Sequence, residues 1–189
     1  GNRDAAGNIY VIERYFFVTA GAETKIEIEM EEIDGKLSTL GTLDMDKKIQ
    51  LIDGKKQSLK ELSQGKGLVL AIVDPYSEPV RHLMADMPLV KSEMEKWGGG
   101  IAFVMTTLPN QSIEKLYPNL PNQSLFAHDA DKKMQKAIVK ATNFDFANNY
   151  PLLCFITKEG EIVFLSEGYR IGSGDSLLKV IHQLESRTK

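Results

Sequence analysis

The sequence predicts an α/β protein: a central, partly parallel sheet covered by helices on both faces. Three observations carry that reading. Leu68–Val73 ("LVLAIV") and residues 101–107 ("IAFVMTT") are continuous apolar runs, the pattern of strands buried on both sides. Helical patterns separate these and the later strands, which is what parallel neighbours require of their connections. Near the C-terminus, "PLLCFITKEGEIVFLSEGY" reads as two strands joined at Lys158-Glu159-Gly160, adding an antiparallel edge.

Composition sets the outer bounds. The chain has 189 residues, 42% of them hydrophobic, enough for one real core and a small second module. Apolar runs all fall short of the roughly 18–20 residues that span a bilayer. The start, "GNRDAAGN", is polar, lacks the apolar core of a signal peptide, and reads as a cut within a longer protein. Ten acidic and four basic side chains fall in residues 1–46, so the acidic surplus is N-terminal. With no Lys/Arg stripe interleaved with aromatics, the sequence argues against a nucleic-acid partner. The single cysteine, Cys154, cannot close an internal disulfide or run a dithiol cycle. Its apolar neighbours, "PLLCFI", suit a buried, inert thiol.

Taken in order, Ile9–Val18 and Thr24–Glu31 read as a hairpin about the turn "TAGAE". "DGKLSTLGTLD" is a connector, dividing residues 1–40, a β-hairpin module, from a second unit at 41–189. That unit opens with the short strand "KIQLI" and a short helix in "DGKKQSLKELSQGKG", where Ser58 and Glu61 form a capping box. After Leu68–Val73 a helix runs from about Pro79 to Trp97. Its apolar residues Val80, Leu83, Met84, Met87, Val90, Met94 and Trp97 lie on one face, and Pro88 kinks it. A short helix capped by Ser112, the strand "SLFAHD", the helix "DKKMQKAIVKATN" with Asp131 as its cap, the closing hairpin and a terminal amphipathic helix follow.

The junction "VDPYSEPVRH", residues 73–82, is where chemistry is expected, because a helix N-terminus stabilises negative charge. Ser77 and Glu78 take the capping positions. Ser77 needs a base to act as a nucleophile, and His82, the nearby candidate, lies more than a turn into the helix. A cap without chemistry is the preferred reading. His128, Asp129 and Asp131 in "HDAD" are a weak metal-ligand set, and His182 reads as a surface residue. No pattern calls for a cofactor or a metal.

The strand–helix order, the proline-kinked helix and Tyr150-Pro151 opening the closing hairpin together resemble the thioredoxin-like fold. From about Gly41 to Ser186, with the lead-in "DGKKQSLKELSQGKGLVLAIV", the chain is similar to the bacterial extracytoplasmic TlpA/ResA and AhpC/TSA-related branch. The resemblance implies Cys-x-x-Cys at the helix start, faced by a cis-proline. On alignment Ser77 and Val80 stand where the two cysteines would be, Arg81 on a basic position that often follows, and Pro88 and Pro151 on the family's prolines. Peroxiredoxin-type chemistry lacks its cysteine by the same alignment. The "DPxxEPxxH" junction behind an acidic hairpin also resembles the C-terminal part of bacterial transglutaminase-like proteins, whose catalytic domain would lie upstream.

What the resemblance implies is a redox-inactive module that binds an extended peptide or protein in a groove beside Pro151. That groove comprises Tyr76, Ser77, Glu78, Pro79, Val80, Arg81, Tyr150 and Pro151, with a periplasmic or cell-envelope location. The alternatives are the non-catalytic tail of a transglutaminase- or protease-like enzyme, a hydrolase using Ser77, and an oxidoreductase homologue with residual activity through Cys154.

Overall fold

The computed structural model describes residues 2–3, 9–14 and 37–187. Its strands are β1 (Asn2–Arg3), β2 (Ile9–Arg14), β3 (Gly41–Thr42), β4 (Lys48–Leu51), β5 (Lys56–Ser58), β6 (Leu68–Val73), β7 (Gly100–Met105), β8 (Ser124–His128), β9 (Leu152–Ile156) and β10 (Glu161–Glu167). The helices are α1 (Leu59–Leu62), α2 (Glu78–Asp86), α3 (Lys91–Trp97), α4 (Ile113–Leu116), α5 (Lys133–Thr142) and α6 (Ser173–Ser186). They surround one mixed sheet in the order β1-β2-β10-β9-β6-β7-β8-β4-β5, with β3 also on β10.

β6, β7 and β8 are parallel, while β9 runs antiparallel to β6 and to β10. Alternation along β6 divides the core. Val69, Ala71 and Val73 face α2, α3 and α6, among Leu83, Met87, Met94, Trp97, Phe103, Phe155 and Ile181. Leu68, Leu70 and Ile72 face the other way, among Leu59, Leu62, Met134, Ile138 and Cys154. All six β6 residues are buried, so each large side chain there contributes about 1.5–3 kcal/mol of burial.

Local signals explain most element ends. Ser58 and Glu61 form the expected capping box, with Glu61 N–H on Ser58 Oγ at 3.0 Å and Ser58 N–H on Glu61 Oε1 at 3.2 Å. The helix expected across 79–97 is broken rather than bent. Pro88 lies in a 3₁₀ turn, Met87–Val90, between α2 and α3. α3 stops at Gly98, whose φ of 73° and N–H bond to the Met94 carbonyl at 3.0 Å close it.

Two more expectations change. Lys56–Ser58, read as part of a turn, pairs antiparallel with β4. Ser112 stands at the N-cap of α4 but makes no side-chain capping bond there. Ile9–Arg14, within the strand expected at Ile9–Val18, pairs parallel with β10 and antiparallel with β1. Its expected hairpin partner, Thr24–Glu31, lies outside the described residues.

Gly100 shows how tightly the layers meet, since a Cβ there would stand 1.8 Å from the Leu62 carbonyl oxygen. Gly100→Ala is expected to destabilise the protein by about 2 kcal/mol or more, because backbone must move to admit the methyl. Urea denaturation read by the fluorescence of the single tryptophan, Trp97, checks this.

Candidate functional site: the β6–α2 junction and the Pro151 loop

The sheet register assembles the site. Ile72 pairs with Leu152, so one step outward Val73 comes beside Pro151, and the turn into α2 faces the loop before β9. This is the carboxyl end of the parallel strands, where open α/β sheets present their loops. Residues 73–82 and 150–151, remote in sequence, meet there.

The turn is held by its own backbone and by two tyrosines. Ser77 N–H donates to the Asp74 carbonyl at 3.1 Å, and Tyr76 N–H to Asp74 Oδ1 at 3.3 Å. The buried Tyr117 hydroxyl donates to the Pro75 carbonyl, and Asn110 N–H donates to the Tyr76 hydroxyl at 2.6 Å. Ser77 is the N-cap of α2, its Oγ accepting from Val80 N–H at 3.4 Å, with Pro79 in the first turn.

The predicted residues divide by exposure. Tyr76, Glu78, Pro79 and Arg81 are exposed, and Ser77 and Tyr150 half-buried. Val80 and Pro151 are buried. The Tyr150–Pro151 peptide bond is cis.

His82 stands beside Glu78 and Tyr169. Its Nε2 stands 3.6 Å from Glu78 Oε1, and its ring lies 5.2 Å from that of Tyr169. Tyr169 donates its hydroxyl to Asp86 Oδ2 at 2.7 Å, tying α2 to the segment after β10. Burial, reinforced by the Asp86 carboxylate, raises the Tyr169 pKa to about 12, so this bond keeps its proton across the physiological range.

A polar network absent from the sequence reading supports the Pro151 side. Asp129 is buried, and its two oxygens accept from Met134 N–H at 2.7 Å and Gln135 N–H at 3.1 Å. Asp129, not Asp131, therefore caps the N-terminus of α5. Asp131 has a φ of 57°, which carries its residue out of the capping geometry. Gln135 then accepts the Tyr150 hydroxyl at 2.6 Å and donates to Asn148 Oδ1 at 3.0 Å. Burial raises the Tyr150 pKa, Gln135 opposes it, and Asp129 and Asp74 add to the rise. Burial likewise raises that of Tyr117, with Arg81 opposing and Asp74 and Tyr76 adding. Asp74 acts on both tyrosines.

Glu167 is the second residue that sequence reasoning missed. Buried at the end of β10, its Oε2 accepts from Ala147 N–H at 2.8 Å and from Asn149 N–H and Nδ2 at 3.3 Å. Gly168 N–H donates to the carbonyls of Asn149 and Pro151 at 3.0 and 2.9 Å. A buried acid ending an apolar strand ("IVFLSEG") was the available signal.

The single thiol lies away from the helix start. Cys154 is 0% exposed in mid-β9, packed against the face opposite α2, and desolvation pushes its thiol pKa from 9.0 to about 12. Among the described residues no group of three or more His, Cys, Asp or Glu side chains could hold a metal ion. A cavity of about 530 Å³ lined by Lys66, Trp97, Phe155 and Ile181 contains none of the junction residues.

The fold recurs in solved structures. A thiol:disulfide interchange protein DsbE from Chlorobium tepidum superposes with a TM-score of 0.59 at 15% identity, covering 79% of this chain and 99% of that one. The bacterioferritin comigratory protein of Xanthomonas campestris gives 0.56 at 18% identity over 77% and 94%. The fold is thioredoxin-like. An exposed lipoprotein thioredoxin of Streptococcus pneumoniae gives 0.51 at 20% identity over 73% and 98%. No protein-family model and no curated protein sequence matches the chain. This thioredoxin-like chain has one cysteine and so no Cys-x-x-Cys pair. No helix among its described residues is long and apolar enough to cross a membrane.

The raised thiol pKa makes a prediction of definite sign. The fold favours the protonated thiol, so this contribution to stability is complete below about pH 9 and is lost as pH rises toward 12. At pH 8 a thiol reagent should label Cys154 at least about a thousandfold more slowly in the native protein than in denaturant. Comparable native labelling would show that the thiol is accessible.

Proposed function

We propose that this chain is a thioredoxin-like module that binds an extended peptide or protein segment beside the Pro151 loop, without thiol exchange. The observation that carries the reading is the position of its sulfur. The one thiol is sealed inside β9, while a helix-capping serine and a buried valine occupy the junction. What stays exposed there, Tyr76, Glu78, Pro79 and Arg81, offers an aromatic anchor and charges of both signs around a loop held in place from below.

On this reading residues 41–189 form the module and residues 1–40 end an upstream β module of a larger exported protein. A periplasmic or cell-envelope location is supported by the DsbE and exposed-lipoprotein likenesses. An oxidoreductase with residual activity would have to use Cys154, whose burial opposes it. A Ser77 hydrolase would need a base that His82, paired toward Glu78 and Tyr169, does not provide.

Two measurements test the proposal. Wild-type protein should match buffer in a disulfide-reductase assay, while Ser77→Cys combined with Val80→Cys should gain activity; reduction by the wild type would refute the redox-inactive reading. Extended peptides titrated by NMR should shift Tyr76, Arg81 and Tyr150, and Tyr76→Ala should weaken binding by about tenfold. Shifts confined to other surfaces would remove the groove.

A further inference from the structure

The outer edge of β10 is shared by two strands of opposite direction. Gly41 and Thr42 pair antiparallel with Ile162 and Glu161. That half is rooted in the adjoining chain. Leu40 N–H donates to the Ile162 carbonyl and Leu43 N–H to the Gly160 carbonyl, both at 2.8 Å, and a Cβ on Gly41 would stand 2.2 Å from the Ala141 carbonyl oxygen. The other half, Phe164–Glu167, is completed by β2 in parallel, with the pairs Phe164–Val11, Leu165–Ile12, Ser166–Glu13 and Glu167–Arg14. Among the described residues, backbone pairing joins β2 to this edge.

The last pair, Glu167–Arg14, falls on the residue whose carboxylate holds Ala147 and Asn149. The next residue, Gly168, donates to the carbonyls of Asn149 and Pro151. A continuous path therefore runs from β2 through the end of β10 to the loop that presents Tyr150.

We infer that Phe164–Glu167 are a docking edge for an extended parallel strand, filled here by Ile9–Arg14, and that its occupancy steadies the 147–151 loop through Glu167. An unfilled edge leaves N–H and C=O groups unpaired and lets the strand end fray, and Glu167 sits at that end. The fitting occupant is a strand rich in β-branched and aromatic residues delivered from upstream, as "IYVIER" is. The consequence for ligand affinity rests on the groove reading above, whereas the coupling itself does not.

Amide hydrogen exchange on the full chain without peptide tests the coupling separately from that reading. Val11→Pro and Ile12→Pro remove successive N–H groups directed to opposite edges of β2, so one of the two faces β10. That variant should speed exchange at Phe164–Glu167, and at Ala147, Asn149 and Gly168, by about tenfold or more, with β6 amides unchanged. Glu167→Ala should free the Ala147 and Asn149 amides while pairing along β2 persists. Faster exchange at Phe164–Glu167 with an unchanged loop would overturn the coupling. So would loop amides that stay protected in Glu167→Ala, or acceleration that includes β6. Unchanged exchange at Phe164–Glu167 in both proline variants would overturn the docking edge itself. Peptide affinity measured afterwards on the same variants reports on the groove alone.

Discussion

The antiparallel pairing of β6 with β9 is the interaction on which the rest depends. β6 is buried on both faces, so its ladder has no water to compete with, and β9 supplies one side of it over five residue pairs. That register does two things at once. It sends alternate side chains into the two halves of the core, and it sets the end of β6 beside Pro151. Sliding β9 by one residue would invert its inward set, moving Cys154 and its neighbours to the opposite face. Core and site are thus specified by a single pairing.

Around that pairing, the junction belongs to a thioredoxin-like scaffold that has no Cys-x-x-Cys pair. A helix N-terminus that would stabilise a thiolate instead meets a serine hydroxyl acting as a cap. Its surroundings are ordered by hydrogen bonds: Tyr117 on Pro75, Tyr150 on Gln135, and Asp129 and Glu167 on backbone amides. Asp129 satisfies buried amides that would otherwise be stranded, which costs about 1–3 kcal/mol each. Rigidity of this kind suits recognition, because a preorganised surface loses less entropy when it binds.

Much of the fold was legible because its signals are local. Six consecutive apolar residues at 68–73, the Ser58–Glu61 capping box and Pro88 each act within a few residues of themselves. The short strand Lys56–Ser58 was missed because "KKQS" has turn-like composition, and only β4 alongside makes it a strand. Asp131 was preferred to Asp129 as the α5 cap because it stands nearer the helix. Its left-handed backbone passes the role back two residues, a choice made by how the chain enters α5.

By itself the sequence determined the α/β class, the buried strands, the proline that interrupts the helix and the lack of a second cysteine, since these depend on composition and short-range periodicity. The tertiary structure alone decided that Tyr150 leans on Gln135 and that Glu167 clamps the loop. It also decided that Ile9–Arg14 joins β10. Each of these joins residues far apart in the chain through a hydrogen-bond geometry that exists only once the sheet has closed. No local pattern encodes which distant donor a buried acceptor will find.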